Sequence, residues 1–123
     1  MTSDQTLTIV RTYHDAWTRK SFDEATRLLS PTLIVEVPVN DYPTKETFAE
    51  ALRGFGAMVT RVDLLSEMSA GDQAMLLYDM DVDRLGSLRV TEHFTVAAGM
   101  ITRLRQIHDT APVRAAGFVS AGA

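Results

Sequence analysis

The chain of 123 residues contains no cysteine, which excludes a disulfide framework, a thiolate metal site and a cysteine nucleophile. Basic residues are scarce, 12 Lys and Arg against 16 Asp and Glu, for a net charge of −4. That balance argues against a nucleic-acid partner, whose recognition needs clustered cations. No apolar run approaches the roughly 20 residues of a membrane-spanning helix, so no membrane partner is expected. The opening Met1-Thr2-Ser3-Asp4 is polar and acidic, unlike a secretory leader, and a cytoplasmic location is the expectation. Also missing are a glycine-rich phosphate loop, a serine nucleophile elbow and the spacing of a dedicated metal motif. Neither a metal nor a cofactor is therefore expected.

What is present suffices for a core: 46% of residues are hydrophobic and 23% charged, in a length typical of one domain. The reading is a single domain over residues 1–123, with a core of 5–110 and an Ala- and Gly-rich tail of 111–123. From Leu7 to Trp17, the residues Val10, Tyr13 and Trp17 recur at helical spacing and form one apolar stripe. A second helix is expected from Ser21, with Glu24 completing a capping box and Ser30-Pro31 as its stop. Thr32–Val39 is β-branched and alternating, hence a strand. Pro43-Thr44 opens a third helix, with Phe48, Ala51, Leu52 and Phe55 on one side.

From Thr60 the period falls from about 3.6 to about 2, the signature of sheet. Segments 60–69, 73–84, 87–97 and 100–110 are separated by Gly71-Asp72, Leu85-Gly86 and Ala98-Gly99. Such short glycine-bearing turns imply an antiparallel meander. The order is that of an α+β fold: a curved antiparallel sheet wrapped around N-terminal helices, cone-shaped with an interior pocket.

This order, together with Val10-Arg11-Thr12-Tyr13, Ser21-Phe22-Asp23-Glu24-Ala25, Val35-Glu36-Val37-Pro38-Val39, Glu92-His93-Phe94 and Ile101-Thr102-Arg103-Leu104-Arg105, resembles the nuclear-transport-factor-2-like superfamily. Within it the likeness is in particular to SnoaL-like polyketide cyclases and ketosteroid isomerases, whose shape is a cystatin-like α+β roll. Ketosteroid isomerases combine a carboxylate base with an oxyanion hole of a tyrosine and a protonated acid. The resemblance places Tyr13 on that tyrosine and Glu92 on that acid, but puts Val37 where the base belongs. Valine abstracts no proton, so steroid isomerisation by that route is not expected. Likewise, the acid that epoxide hydrolases of the superfamily carry in the last strand falls on Gln106, and their arginine–aspartate pair falls on Asp79 and Asp81.

Strand 73–84 admits two registers. Alternation alone puts Leu76, Tyr78, Met80 and Val82 in the core and Asp79, Asp81 and Asp83 in water. The register implied by the resemblance instead turns 77, 79 and 81 into the cone, leaving the apolar set for a second subunit. On 87–97 the face of Val90, Glu92, Phe94 and Val96 is the buried one, so the Glu92 carboxyl should resist ionisation. On the last strand Leu104, Gln106 and His108 share a face, and His108 opposite Asp79 or Asp81 would form an acid/base pair. His14 and Asp15 are expected in solvent.

The resulting expectation is a cofactor-free enzyme of SnoaL-like type. It would transfer protons on a small hydrophobic carbonyl-bearing molecule, in an isomerase, cyclase or dehydratase reaction, with Asp79 or Asp81 and His108 as base and Tyr13 and Glu92 stabilising an enolate. Trp17, Val37, Phe55, Leu77, Phe94, Leu104 and Gln106 would contact the substrate. A homodimer is expected, from Leu76, Tyr78, Met80 and Val82. The alternative, favoured by Val37, is a non-catalytic ligand-binding or dimerisation domain of the same fold.

Overall fold

The computed structural model describes residues 2–117. Helix α1 spans Ser3–Thr18 and starts from a reciprocal cap: Thr2 Oγ1 accepts from the Gln5 amide, while Gln5 Oε1 accepts from the Thr2 amide. Its stripe of Val10, Tyr13 and Trp17 is buried, as the spacing requires. The helix ends in a Schellman turn, with the Ser21 amide donating to the Ala16 carbonyl and the Lys20 amide to that of Trp17. Lys20 takes the left-handed conformation (φ 68°) that usually selects glycine. Its ammonium is held by the Gly56 and Val59 carbonyls, ties that a glycine would forgo.

Helix α2 is only Phe22–Thr26. The anticipated capping box at Ser21 is absent, because Ser21 Oγ donates to Glu24 Oε2 and the same carboxylate binds Arg19 at 2.8 Å. Strand β1, Leu29–Glu36, begins three residues before the position that the sequence suggested. Leu29 is fully buried and pairs with Ile101, so burial draws it into the sheet. Pro31, read as a helix stop, lies instead where the β1 register shifts between Leu29 and Ile34, on an edge strand where a missing amide is tolerated. Helix α3, Lys45–Gly56, is capped by Thr44 and Thr47 reciprocally.

The sheet is completed by β2 (Val59–Ala70), β3 (Gln73–Val82), β4 (Gly86–Ala97) and β5 (Met100–His108). These four form the antiparallel meander expected from their turns. At Ala98-Gly99 both residues have positive φ, 52° and 79°, the two-residue geometry that matches strand twist. The strand order is β1-β5-β4-β3-β2, and β1 runs parallel to β5. The curved sheet is thus mixed rather than wholly antiparallel. A short helix α4, Ala111–Ala115, follows β5 and buries Val113. The tail is therefore partly ordered, and its remainder, 118–123, lies outside the described residues.

The core lies between α1 and the concave face of the sheet, where Tyr13 meets Phe94 edge-on at 5.8 Å. On β3, Leu76, Tyr78, Met80 and Val82 are all buried. Simple alternation therefore describes this strand, and the inward register for 77, 79 and 81 is overturned. Charged side chains take water, and the apolar set fills the core. The dimer surface drawn from that register is interior. His14 also departs from expectation. It is buried, with its ring 4.9 Å from that of Tyr78 and 5.6 Å from that of Trp17. No helix among the described residues is long and apolar enough to cross a membrane.

Candidate functional site

Between α1, α3, the concave face of the sheet and α4 lies a cavity of about 580 Å³. Trp17, Phe48, Leu52, Phe55, Met80 and Leu88 give it apolar walls. Its polar groups are few, and they converge. Glu92 on β4 and Gln106 on β5 are directly paired across the ladder. Tyr78 on β3 pairs with Val90, which makes it the diagonal neighbour of Glu92, within reach of a long side chain. Accordingly, Tyr78 Oη donates to Glu92 Oε1 at 2.9 Å and Gln106 Nε2 donates to Glu92 Oε2 at 2.8 Å. The register of three strands builds this triad, and alternation aims it inward.

Glu92 is 1% exposed. Burial pushes its carboxyl up from 4.5 to about 7, against the opposing pull of the hydrogen bonds from Gln106 and Tyr78. Tyr13 lines the same cavity, and its hydroxyl makes no hydrogen bond among the described residues. Burial, then the nearby Glu92 charge, raises its ionisation well above that of an ordinary phenol. It therefore stays a neutral donor. His108 stands at the cavity edge, where its Nδ1 lies 3.0 Å from the Asp109 carbonyl. A carbonyl only accepts, so Nδ1 is the donor of this contact. Neither Lys nor Arg lines the cavity among the described residues.

Of the residues singled out from sequence, Tyr13, Trp17, Val37, Phe55, Glu92, Gln106 and His108 come together around this cavity. Asp79 and Asp81 do not. Asp79 lies on the outer face of the sheet in a bidentate pair with Arg89, at 2.7 and 2.9 Å. That hydrogen-bonded guanidinium lowers its ionisation further. Asp81 accepts from Ser87 Oγ at 2.7 Å on the same face. The pairing of either aspartate with His108 is thereby ruled out, because the sheet stands between them. Leu77 shares that outer face and is no pocket wall. Phe94 and Leu104 point inward but are fully buried behind the cavity, in the core. No three His, Asp or Glu side chains converge among the described residues.

Tyr78 is the group that the sequence reading kept out of the site, assigning it to the core or to a dimer surface. Its signal was the unbroken Leu76, Tyr78, Met80, Val82 alternation, opposite a strand carrying a buried acid. Burial and the adjacent Glu92 raise the ionisation of Tyr78 as well.

Comparison with known proteins agrees with this architecture. The family model for the SnoaL-like domain matches residues 10–104. A protein of Kribbella flavida DSM 17836 superposes with a TM-score of 0.84 at 29% identity, over 89% of this chain and 91% of that one. A proposed ketosteroid isomerase from the same organism gives 0.77 at 15% identity, over 89% and 81%. A proposed polyketide cyclase of Sinorhizobium meliloti gives 0.72 at 20% identity, over 81% and 94%. No curated protein matches the chain in sequence. The cone, the inward acid and the matched span together make the chain a member of the SnoaL-like domain family, with the nuclear-transport-factor-2-like fold.

Proposed function

We propose that this protein is a cofactor-free acid–base enzyme acting on a small, apolar, uncharged molecule that carries a carbonyl group. The observation that carries this reading is Glu92: a buried carboxyl with ionisation near about 7, held by Tyr78 and Gln106 inside an apolar cavity that also presents the free Tyr13 hydroxyl. A group with pKa near the working pH is suited both to take and to return a proton. Each Glu92 oxygen accepts one hydrogen bond and retains a second lone pair. Ionised Glu92 would remove a proton from the carbon next to the carbonyl. The C–H electron pair moves to form the enolate, whose oxygen accepts from Tyr13 Oη. Protonated Glu92 then delivers the proton to another carbon of the conjugated system, which completes an isomerisation. The same enolate carbon, attacking a second carbonyl within the substrate, would form a ring and an alkoxide that takes the proton back from Glu92, which completes a cyclisation. This assigns the base to Glu92 in place of Asp79 and Asp81, and Val37 becomes simply part of the wall. With neither Lys nor Arg in the lining among the described residues, an anionic substrate lacks a permanent counter-charge.

Enolisable cyclic ketones incubated in deuterium oxide test the reading without knowledge of the natural substrate. Exchange at the α-carbon, followed by proton NMR, is expected with the wild type. It should fall at least about tenfold in Glu92→Gln and in Tyr13→Phe. Ketones that perturb the Trp17 fluorescence without any enzyme-dependent exchange would instead favour the non-catalytic ligand-binding reading, for which Val37 at the expected base position is the argument.

A further inference from the structure

The cavity is polar at two places. At the inner one Tyr13, Tyr78, Glu92 and Gln106 converge, and at the other stand Asn40 and His108. The ladders give their separation. His108 follows Gln106 by two residues on the same face of β5, so it lies about 7 Å further along the sheet. There it stands beside Val90, as Gln106 stands beside Glu92. Strand β1 runs parallel to β5, and its last pair is Glu36 with Arg105. Residues 37–40 therefore leave the sheet at the end where β5 reaches His108.

The chain leaves that end through an unusual turn. Val37 and Pro38 both line the cavity, although consecutive residues of a strand face opposite ways. A tight reversal breaks the alternation. The Asn40 amide donates to the Pro38 carbonyl, two residues back, at 2.9 Å, and Val39 between them has a φ of 77°. A bond of this span closed around a positive φ is the rare, strained form of γ-turn. Glycine adopts such a φ freely, whereas for a β-branched residue it is an outlier. Strain of this kind persists where the surroundings over-determine it, and it gathers at ligand sites. Here the strained turn carries Asn40, which joins the lining beyond it.

We propose that Asn40 and His108 form a second polar subsite at the cavity mouth, and that the substrate is accordingly a hydroxyketone. Its carbonyl points inward to Tyr13 and Glu92, and its hydroxyl is held at the mouth. The inference rests on the acid–base reading of Glu92 and names the substrate class of that site. The side-chain amide of Asn40 can both donate and accept, and a hydroxyl is the group that answers both. Between the two polar ends, Met80, Leu88 and Val90 face the cavity, so the skeleton joining the two oxygens is hydrocarbon. Apolar walls alone would let a ketone enter either way round. Two anchored ends admit one orientation, with the carbonyl against the acid. A site built to hydrogen-bond a hydroxyl also discriminates against the analogue that lacks it.

The test compares trans-2-decalone with its 6-hydroxy derivative, whose two oxygens sit at opposite ends of two fused six-membered rings. Binding is followed by the fluorescence of Trp17, the single tryptophan of the chain and part of the cavity wall. The ratio of the two dissociation constants is the quantity read in each protein. In the wild type the hydroxyketone should bind at least about fivefold more tightly, the worth of one ordinary hydrogen bond. Asn40→Leu and His108→Phe should each reduce that advantage to about twofold or less. Val39→Pro keeps both polar side chains but forbids the positive φ, and it should lose the advantage as well. Thermal melting checks that each variant is folded. A wild-type ratio near one, or an advantage that survives either Asn40→Leu or His108→Phe, would overturn the proposal. Deuterium exchange decides the acid–base reading by itself, and the ratio is measurable whether or not exchange occurs, so the two can fail separately.

Discussion

Replacing Glu92 by glutamine gives a stability effect whose sign and size follow from the cavity. In the unfolded chain the carboxyl ionises around 4.5, and in the folded protein around 7, chiefly because it is buried. Below 4.5 both states hold the proton, and Glu92 is neutral in its effect. Between 4.5 and 7 the folded state still binds a proton that the unfolded state has released, so stability falls as pH rises. Above 7 the loss is complete. At about 1.36 kcal/mol per pH unit, the interval from 4.5 to about 7 amounts to about 3 kcal/mol. Glutamine has no charge to bury. After a flip of the Gln106 amide it can still accept from Tyr78 and donate to Gln106, so its own offset is on the order of 1 kcal/mol and independent of pH. Urea unfolding followed by Trp17 fluorescence at pH 4.5, 6 and 8 should show Glu92→Gln gaining about 3 kcal/mol on the wild type from the lowest to the highest pH. A difference that stays flat across that range would refute the buried, hard-to-ionise carboxyl, and with it the acid–base argument.

Two further variants probe the same surroundings. Tyr78→Phe removes a hydrogen bond that favours the ionised carboxylate; the Glu92 titration, read by carboxyl carbon NMR, should move to still higher pH, at a stability cost of about 1 kcal/mol. An unmoved titration would mean that the hydrogen bond does not act on the acid. His14 carries the opposite slope. Burial lowers its ionisation from 6.5 to about 4, so the unfolded chain takes up a proton that the folded protein refuses, and stability is lost as pH falls through that interval. His14→Phe should therefore stabilise the protein by about 2 to 3 kcal/mol at pH 4.5 relative to its effect at pH 8. In the wild type the two slopes oppose each other between about 4.5 and 6.5, so a flat wild-type profile there is expected. If His14→Phe leaves the low-pH arm unchanged, the histidine is not buried neutral.

The parts of the fold set by local periodicity were readable in the chain. Helix α1, helix α3 and the meander of β2 to β5 follow from apolar spacing and from turns that need positive φ. Contacts between distant segments were not readable: the parallel pairing of β1 with β5 and the early start of β1 at Leu29 are decided by burial against Ile101. In the site, Glu92 and Gln106 were legible because alternation assigns their faces. The displacement of Asp79 and Asp81 arose from preferring a register borrowed by likeness over the alternation of their own strand. His14 stands four residues after Val10 and three before Trp17, a spacing that already put it at the margin of the apolar stripe. It escaped notice because its polarity suggested solvent, whereas α1 is covered by β2 and β3 on that side.

The adjacency of the first strand to the last has a consequence for how the molecule comes into being. Leu29–Glu36 emerges from the ribosome well before its ladder partner, Met100–His108, has been synthesised. Until then the meander has nothing to close against, and Ile34 and its neighbours offer an open edge to any other extended chain. Closure of the sheet thus waits for β5, and truncation anywhere before His108 should leave a sticky nascent chain rather than a smaller version of the same cone.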